Sequence, residues 1–237
     1  MDKISRERKI LGLAKPVLEE IYGKFAIIDG QIDNPDAAIE LAPNSRIGVE
    51  ITSIDPQKVQ EYFGDNKFGR DIIAQELDCL SQGKYSDRPT KKYSIPLPNS
   101  YIFDGVEKKT KKYSQYMESG EYKDIILIAF GDYLEIGNSE NFCSYYKPWT
   151  CHLLSEASFP FDKVIYVCER YGDYALVFDR NSSHPKPPER NSEIEAGITR
   201  INGPLLPIGK TVNLKKILNN EPSIKPKETR RSRIKNR

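Results

Sequence analysis

The chain has 237 residues, 38% of them hydrophobic and 30% charged, with 36 Lys/Arg against 34 Asp/Glu and a formal net charge of +2. That length suits one sizeable core with appendages. No apolar run approaches the roughly 18 residues needed to span a bilayer, and the charged start Met1-Asp2-Lys3-Ile4-Ser5-Arg6-Glu7-Arg8 lacks a signal-peptide segment, so no membrane association and a cytoplasmic address are expected. The small net charge hides an asymmetry. Lys225–Arg237 holds seven basic residues and one acid, which leaves 29 basic against 33 acidic residues elsewhere, a net −4. Nucleic-acid binding must therefore come from a local basic surface or from this tail.

In chain order, Ile4, Leu11, Ala14, Leu18 and Ile21 recur at helical spacing and predict a helix over residues 4–23. No capping box marks its start, Pro16 is expected to kink or split it, and Glu19 and Glu20 fall in its last turn. Phe25 to Ile28, Ala37 to Leu41 and Arg46 to Ile54 read as strands of an antiparallel meander. Asp55 and Pro56 carry an N-cap signature for a helix to about Phe63, and a further helix is expected over residues 68–81. Residues 83–98 read as a long surface loop. A helix from Asn99 or Ser100 to Glu118 places Ile102, Val106, Lys109, Tyr113 and Tyr116 on one face. Ile125 to Phe130 is the most hydrophobic run and reads as a central strand buried on both faces. After a helical or loop excursion over residues 139–160, Val164 to Cys168 and Tyr174 to Phe178 read as strands. The order predicts an α/β domain over residues 1–180 with a mixed β-sheet flanked by helices, a C-terminal extension over 181–219 and a basic, disordered tail over 220–237.

Two acids carry the chemical interest. Asp36 follows Asn34-Pro35 at the lip of one strand, and Glu50 lies fourteen residues on, inside an apolar strand. An acid in a buried strand is costly unless it is paired or binds a cation. Alternation puts Glu50 and Thr52 on one face and Val49 and Ile51 on the other. The same alternation also fits a half-solvated edge strand with Glu50 exposed, and that reading stays open here. Mg²⁺ prefers carboxylate, carbonyl and water oxygens, so Asp36, Glu50 and the carbonyl of Ile51 form a candidate ligand set for phosphodiester hydrolysis.

Other signals are weaker. The cysteines, Cys79, Cys143, Cys151 and Cys168, form no CxxC pair and are expected as reduced thiols; with His152 they lack a zinc-type spacing. His152 and His184 have no triad pattern. Tyr145-Tyr146-Lys147-Pro148-Trp149 reads either as a base-stacking platform or as a hydrophobic cluster under a loop.

Pro35-Asp36 followed by Glu50-Ile51-Thr52, within this element order, resembles the PD-(D/E)XK nuclease superfamily. The resemblance covers roughly residues 10–180. It implies a restriction-endonuclease-like fold and a divalent-metal-dependent nuclease acting on DNA, with Mg²⁺ or Mn²⁺ as cofactor. It further implies a pairing of two copies, which many nucleases of this fold use to cut two strands, and an additional acid on the first helix, expected at Glu19 or Glu20. The family's lysine two residues after the second acid is Thr52 here. Members that move this lysine place it on a neighbouring helix, where Lys109 and Lys112 are the candidates and Gln75 is a further polar one. Without a lysine in reach, the chain would be a catalytically inactive nuclease-like module binding nucleic acid or a protein partner.

Overall fold

The computed structural model describes residues 2–31, 33–42, 45–63, 76–84, 91–137, 140–183 and 186–202, with 213 and 215. The chain divides into two units. The first comprises Met1–Asp55 with Pro96–Ile198, and the second comprises Pro56–Ile95 with the described residues from Thr199.

The first unit opens with α1 (Lys3–Tyr22). Its N-terminus is capped by Asp2, which accepts from the Ser5 amide at 2.9 Å and the Ser5 hydroxyl at 2.7 Å. This is an N-cap one turn ahead of where a Ser-based capping box would stand. The helix runs through Pro16 unbroken. Proline deletes one ladder bond and crowds the carbonyl four residues back, here that of Gly12. At the other end Gly23, at φ +74°, donates to the Glu19 carbonyl.

A six-stranded sheet follows, of β1 (Ala26–Ile27), β2 (Ala37–Ala42), β3 (Ser45–Ser53), β5 (Asp124–Gly131), β6 (Lys163–Cys168) and β7 (Asp173–Asp179), in that spatial order. β1, β2 and β3 form an antiparallel meander; β3, β5 and β6 run parallel, and β7 returns antiparallel to β6. The architecture is thus mixed α/β, and β5 is a central strand whose residues from Ile125 to Gly131 are all buried.

Alternation sorts the sheet into two faces. On one, Ile47, Val49 and Ile51 join Ile126, Ile128, Ile165 and Val167 against Ile10, Leu11, Ala14 and Leu18 of α1. Full burial of each large aliphatic contributes about 1.5–3 kcal/mol. The opposite face carries Glu50, Thr52, Leu127, Ala129, Val164 and Tyr166 in matching register. It is covered by α4 (Tyr101–Val106), α5 (Thr110–Glu118), a π-helical turn (Phe142–Tyr146) whose Phe142 ring stacks on Tyr166 at 5.8 Å, and α6 (Lys147–Glu156). The predicted single helix over 100–118 is therefore two helices joined by the 3-10 turn Glu107–Lys109.

Gly105 sets how closely α4 approaches β3. A Cβ there would meet Ile54 Cγ2 at 2.4 Å and Ile54 Cβ at 2.5 Å. Gly105→Ala is expected to push α4 off the sheet and cost about 1–3 kcal/mol. Thermal unfolding should show the loss; an unchanged Tm would refute the close packing.

Asp55 departs from the sequence reading. It does not serve the helix that follows, α2 (Gln57–Phe63), because its carboxylate turns back to accept from the Tyr101 hydroxyl at 2.7 Å and the Asp132 amide at 2.9 Å. In the second unit residues 76–81 are helical (α3), while most of the predicted 68–81 helix, Gln75 included, lies outside the described residues. The predicted loop over 83–98 contains a strand instead, β4 (Lys91–Ile95), which pairs with β8 (Ile198–Asn202) in a two-stranded sheet. Its partner stands about a hundred residues away, so no local pattern announces it. The tail over 220–237 also lies outside the described residues. Among the described residues no helix is long and apolar enough to cross a membrane.

Candidate active site

The site forms where β2 begins beside the middle of β3. Ala37 pairs with Val49, so Asp36 stands at the edge next to Glu50 and Ile51. Asp36 Oδ2 accepts from the Ile51 amide at 2.8 Å, taking over the ladder bond that β2 no longer supplies. N–H and C=O of one strand residue point to the same side. The Ile51 carbonyl therefore faces the same edge, opposite Pro35, which has no N–H to offer it. Gly48 makes room for that lip: a Cβ there would meet Pro35 Cγ at 3.1 Å and Ile125 Cδ1 at 2.7 Å.

Glu50 is fully buried, so it is not an exposed edge acid. Its Oε1 accepts from Lys109 Nζ at 2.6 Å and Lys112 Nζ at 3.1 Å, and its Oε2 from the Tyr116 hydroxyl at 2.6 Å. The three donors follow one stripe across the junction of the 3-10 turn and α5, at positions i, i+3 and i+7. Thr52 is buried on the same face two residues on, but its hydroxyl brings no charge. The positive charge comes from the helix instead.

Electrostatics divide the acids. Burial opposes ionisation of Glu50, yet the hydrogen bonds from Lys109 and Tyr116, with the charges of both lysines, outweigh it and hold its carboxyl below the ordinary value. Asp36 goes the other way: burial and the neighbouring Glu50 charge raise it despite the Ile51 amide. Lys112 is raised because Glu50 outweighs its desolvation.

Two further charged groups border Asp36. Lys3 Nζ stands 3.6 Å from Asp36 Oδ1 and 3.3 Å from Glu7 Oε1. Glu7 is buried, and burial together with Asp36 raises its carboxyl. These are the residues the sequence reading missed. The signal was present, since Glu7 lies three and four positions before Ile10 and Leu11, on the apolar stripe of α1. Tyr116 is expected on the same helix face as Lys109, and its hydroxyl is what reaches Glu50.

The acid expected at Glu19 or Glu20 is not at the site. Glu19 is half exposed and 3.6 Å from Lys15, and Glu20 borders a cleft with Tyr22, Asp124 and Lys163. The reason is chain direction. β1 follows α1 directly and pairs Ala26 with Glu40, so the C-terminal end of α1 lies towards the far end of β2 from Asp36. Glu20 and Glu7 are about 20 Å apart along the helix axis.

The base-stacking reading of Tyr145 and Tyr146 is also overturned. Both rings are buried, in edge contact at 5.4 Å, and Tyr146 donates to the carbonyls of Leu97 and Ile194. Among the described residues no three or more His, Cys, Asp or Glu side chains form a group that could hold a metal ion. Asp36 and Glu50 stand as two buried carboxylates, one immediately before β2 and one in the neighbouring β3. No protein-family model, curated protein or solved structure matches the chain.

Proposed function

We propose that the chain is a divalent-metal-dependent nuclease that hydrolyses phosphodiester bonds in DNA, built on a restriction-endonuclease-like version of its mixed α/β fold. One observation carries the reading: two lysines from a helix converge on the buried strand acid Glu50, beside Asp36 at the lip of the neighbouring strand. The antiparallel meander leading into parallel strands supports it, because that order presents both acids at one edge. Asp36, Glu50 and the Ile51 carbonyl would hold Mg²⁺ or Mn²⁺. The bound cation would supply charge neutralisation at the phosphate and a more acidic water.

The chain's own residues do the rest. Tyr116 fixes one oxygen of Glu50, and the other, held by Lys109 and Lys112, would be shared with a cation as the more exposed Lys112 turns away. Lys109, three-quarters buried, is rigidly placed to orient water or hold a phosphate oxygen, and the more exposed Lys112 can turn towards substrate. Burial and the Glu50 charge raise the Asp36 carboxyl, and a cation beside it would favour its ionised form. Lys109→Met should therefore lower the cleavage rate at least about 10-fold more than Lys112→Met does, on the scale expected for a positioned charge donor. Initial rates at saturating Mg²⁺ check this, and equal losses would remove the special role of Lys109.

The test of the function is nicking of supercoiled plasmid by the full chain with Mg²⁺ and with chelator, alongside Asp36→Asn. Cleavage by wild type alone, and only with metal, supports the reading. Equal activity in wild type and Asp36→Asn would sink it. A second reading, a module that binds nucleic acid without cutting it, is favoured by Thr52, which stands where the family's lysine stands. It predicts binding that ignores metal and no cleavage with any divalent cation.

A further inference from the structure

Four of the five residues from Lys108 to Lys112 are lysines, in a body of net charge −4, so their clustering is local rather than compositional. They form two rows, because residues three apart on helical turns stand one above the other. The inner row, Lys109 and Lys112, is spent on Glu50. The outer row, Lys108 and Lys111, is exposed. Among the described residues neither of these two is held in an ion pair, although Glu107 stands four residues before Lys111, where a helical pair would form. The outer row thus adds two exposed charges on the same turns that bring Lys109 and Lys112 to Glu50.

We propose that Lys108 and Lys111 are the backbone clamp of this site: they bind successive phosphates of a DNA strand and hold it so that one phosphodiester passes the inner row and Glu50. The proposal rests on the nuclease reading and names the surface that grips its substrate. Side chains three apart are rooted about 5–6 Å from one another. Flexible lysine stems at that separation reach two neighbouring phosphates, which rise about 3.4 Å each along a duplex strand. Lysine is a point charge without a planar fork, so the clamp fixes position and carries no sequence preference. The inner row is paired with Glu50 and serves the reacting phosphate, so the neighbouring phosphates fall to the outer row.

The test is binding of the full chain to labelled duplex DNA in chelator, where no cutting occurs, between about 50 and 200 mM salt. Wild type is compared with Lys108→Gln/Lys111→Gln and with the charge-retaining Lys108→Arg/Lys111→Arg. Each lost phosphate contact flattens the slope of log K against log salt by about 0.9, so the glutamine pair should be shallower by about 1.8 and weaker on every sequence. The arginine pair should keep the wild-type slope. Both lysines are exposed and make no ion pair among the described residues, so circular dichroism and Tm should match wild type. A glutamine pair with wild-type slope and affinity overturns the clamp, as does a wild type that does not bind DNA. The two readings fail separately: wild type that cuts while the glutamine pair binds normally removes only the clamp, and a glutamine pair that shows the slope change while wild type does not cut removes only the nuclease.

Discussion

Glu50→Gln is expected to lower metal-dependent cleavage by at least about 100-fold, the upper end of what losing even an outer partner of a metal site costs, while leaving the protein folded. The amide keeps a carbonyl oxygen for the Tyr116 hydroxyl, but its NH2 group replaces the acceptor of the two lysines, and the charge that they and a cation need is lost. Glu50→Ala is harsher. It strands the buried Tyr116 hydroxyl and leaves Lys109, whose side chain is only 22% exposed, facing an empty position. Stranding such groups costs about 3 kcal/mol, tempered by the freedom of the 40% exposed Lys112 to turn into water. Glu50→Ala should therefore lower Tm by roughly 6–12 °C, and Glu50→Gln by much less. Comparing the two variants by calorimetry and plasmid cleavage separates chemistry from folding. A glutamine variant with wild-type activity would remove Glu50 from the reaction.

The second large effect is in the pH dependence of stability. Burial pushes the Asp55 carboxyl up to about 6, from an ordinary 3.8, even though it accepts hydrogen bonds from Tyr101 and the Asp132 amide. Between those two values the folded chain keeps a proton that the unfolded chain has released. Stability from this group is thus full below the ordinary value and is lost as pH rises through about 6, by about 3 kcal/mol in total. Asp36 and Glu7, both raised, act in the same direction. Glu50 acts oppositely: its contribution is present above the ordinary carboxylate range and is lost as pH falls below it. Urea unfolding from pH 4 to 8 should show stability declining through the middle of the range in wild type, and a distinctly flatter profile in Asp55→Asn. Parallel profiles for the two proteins would mean that Asp55 does not titrate in the fold.

Much of the sheet was legible because its signals are local. Ile125 to Phe130 is six apolar residues in a row, and Arg46 to Ile54 alternates, so both strands could be placed from pattern alone. The antiparallel order of β1, β2 and β3 followed from their short connections. β4 was illegible because its partner β8 is remote in sequence. Asp55 was misread because the Asp-Pro signature for a helix start is local, whereas Tyr101 and Asp132, which take its carboxylate, arrive from other elements. Glu19 and Glu20 are expected at the site only through the resemblance, and the direction of α1 carries that end of the helix away from Asp36.

The sequence by itself determined that an acid sits within an otherwise apolar strand, that a second acid follows Pro35 fourteen residues earlier, and that lysines crowd one helical turn. These facts are fixed by residue type and spacing. Only the tertiary structure decided that Glu50 lies on the sheet face covered by α5, that Lys109, Lys112 and Tyr116 reach it together, and that α1 contributes Lys3 and Glu7 from its first turns. The reason is physical. Burying a carboxylate demands charge and hydrogen bonds from somewhere. Residue types reveal the demand, but only the direction and packing of the helices reveal which side chains meet it.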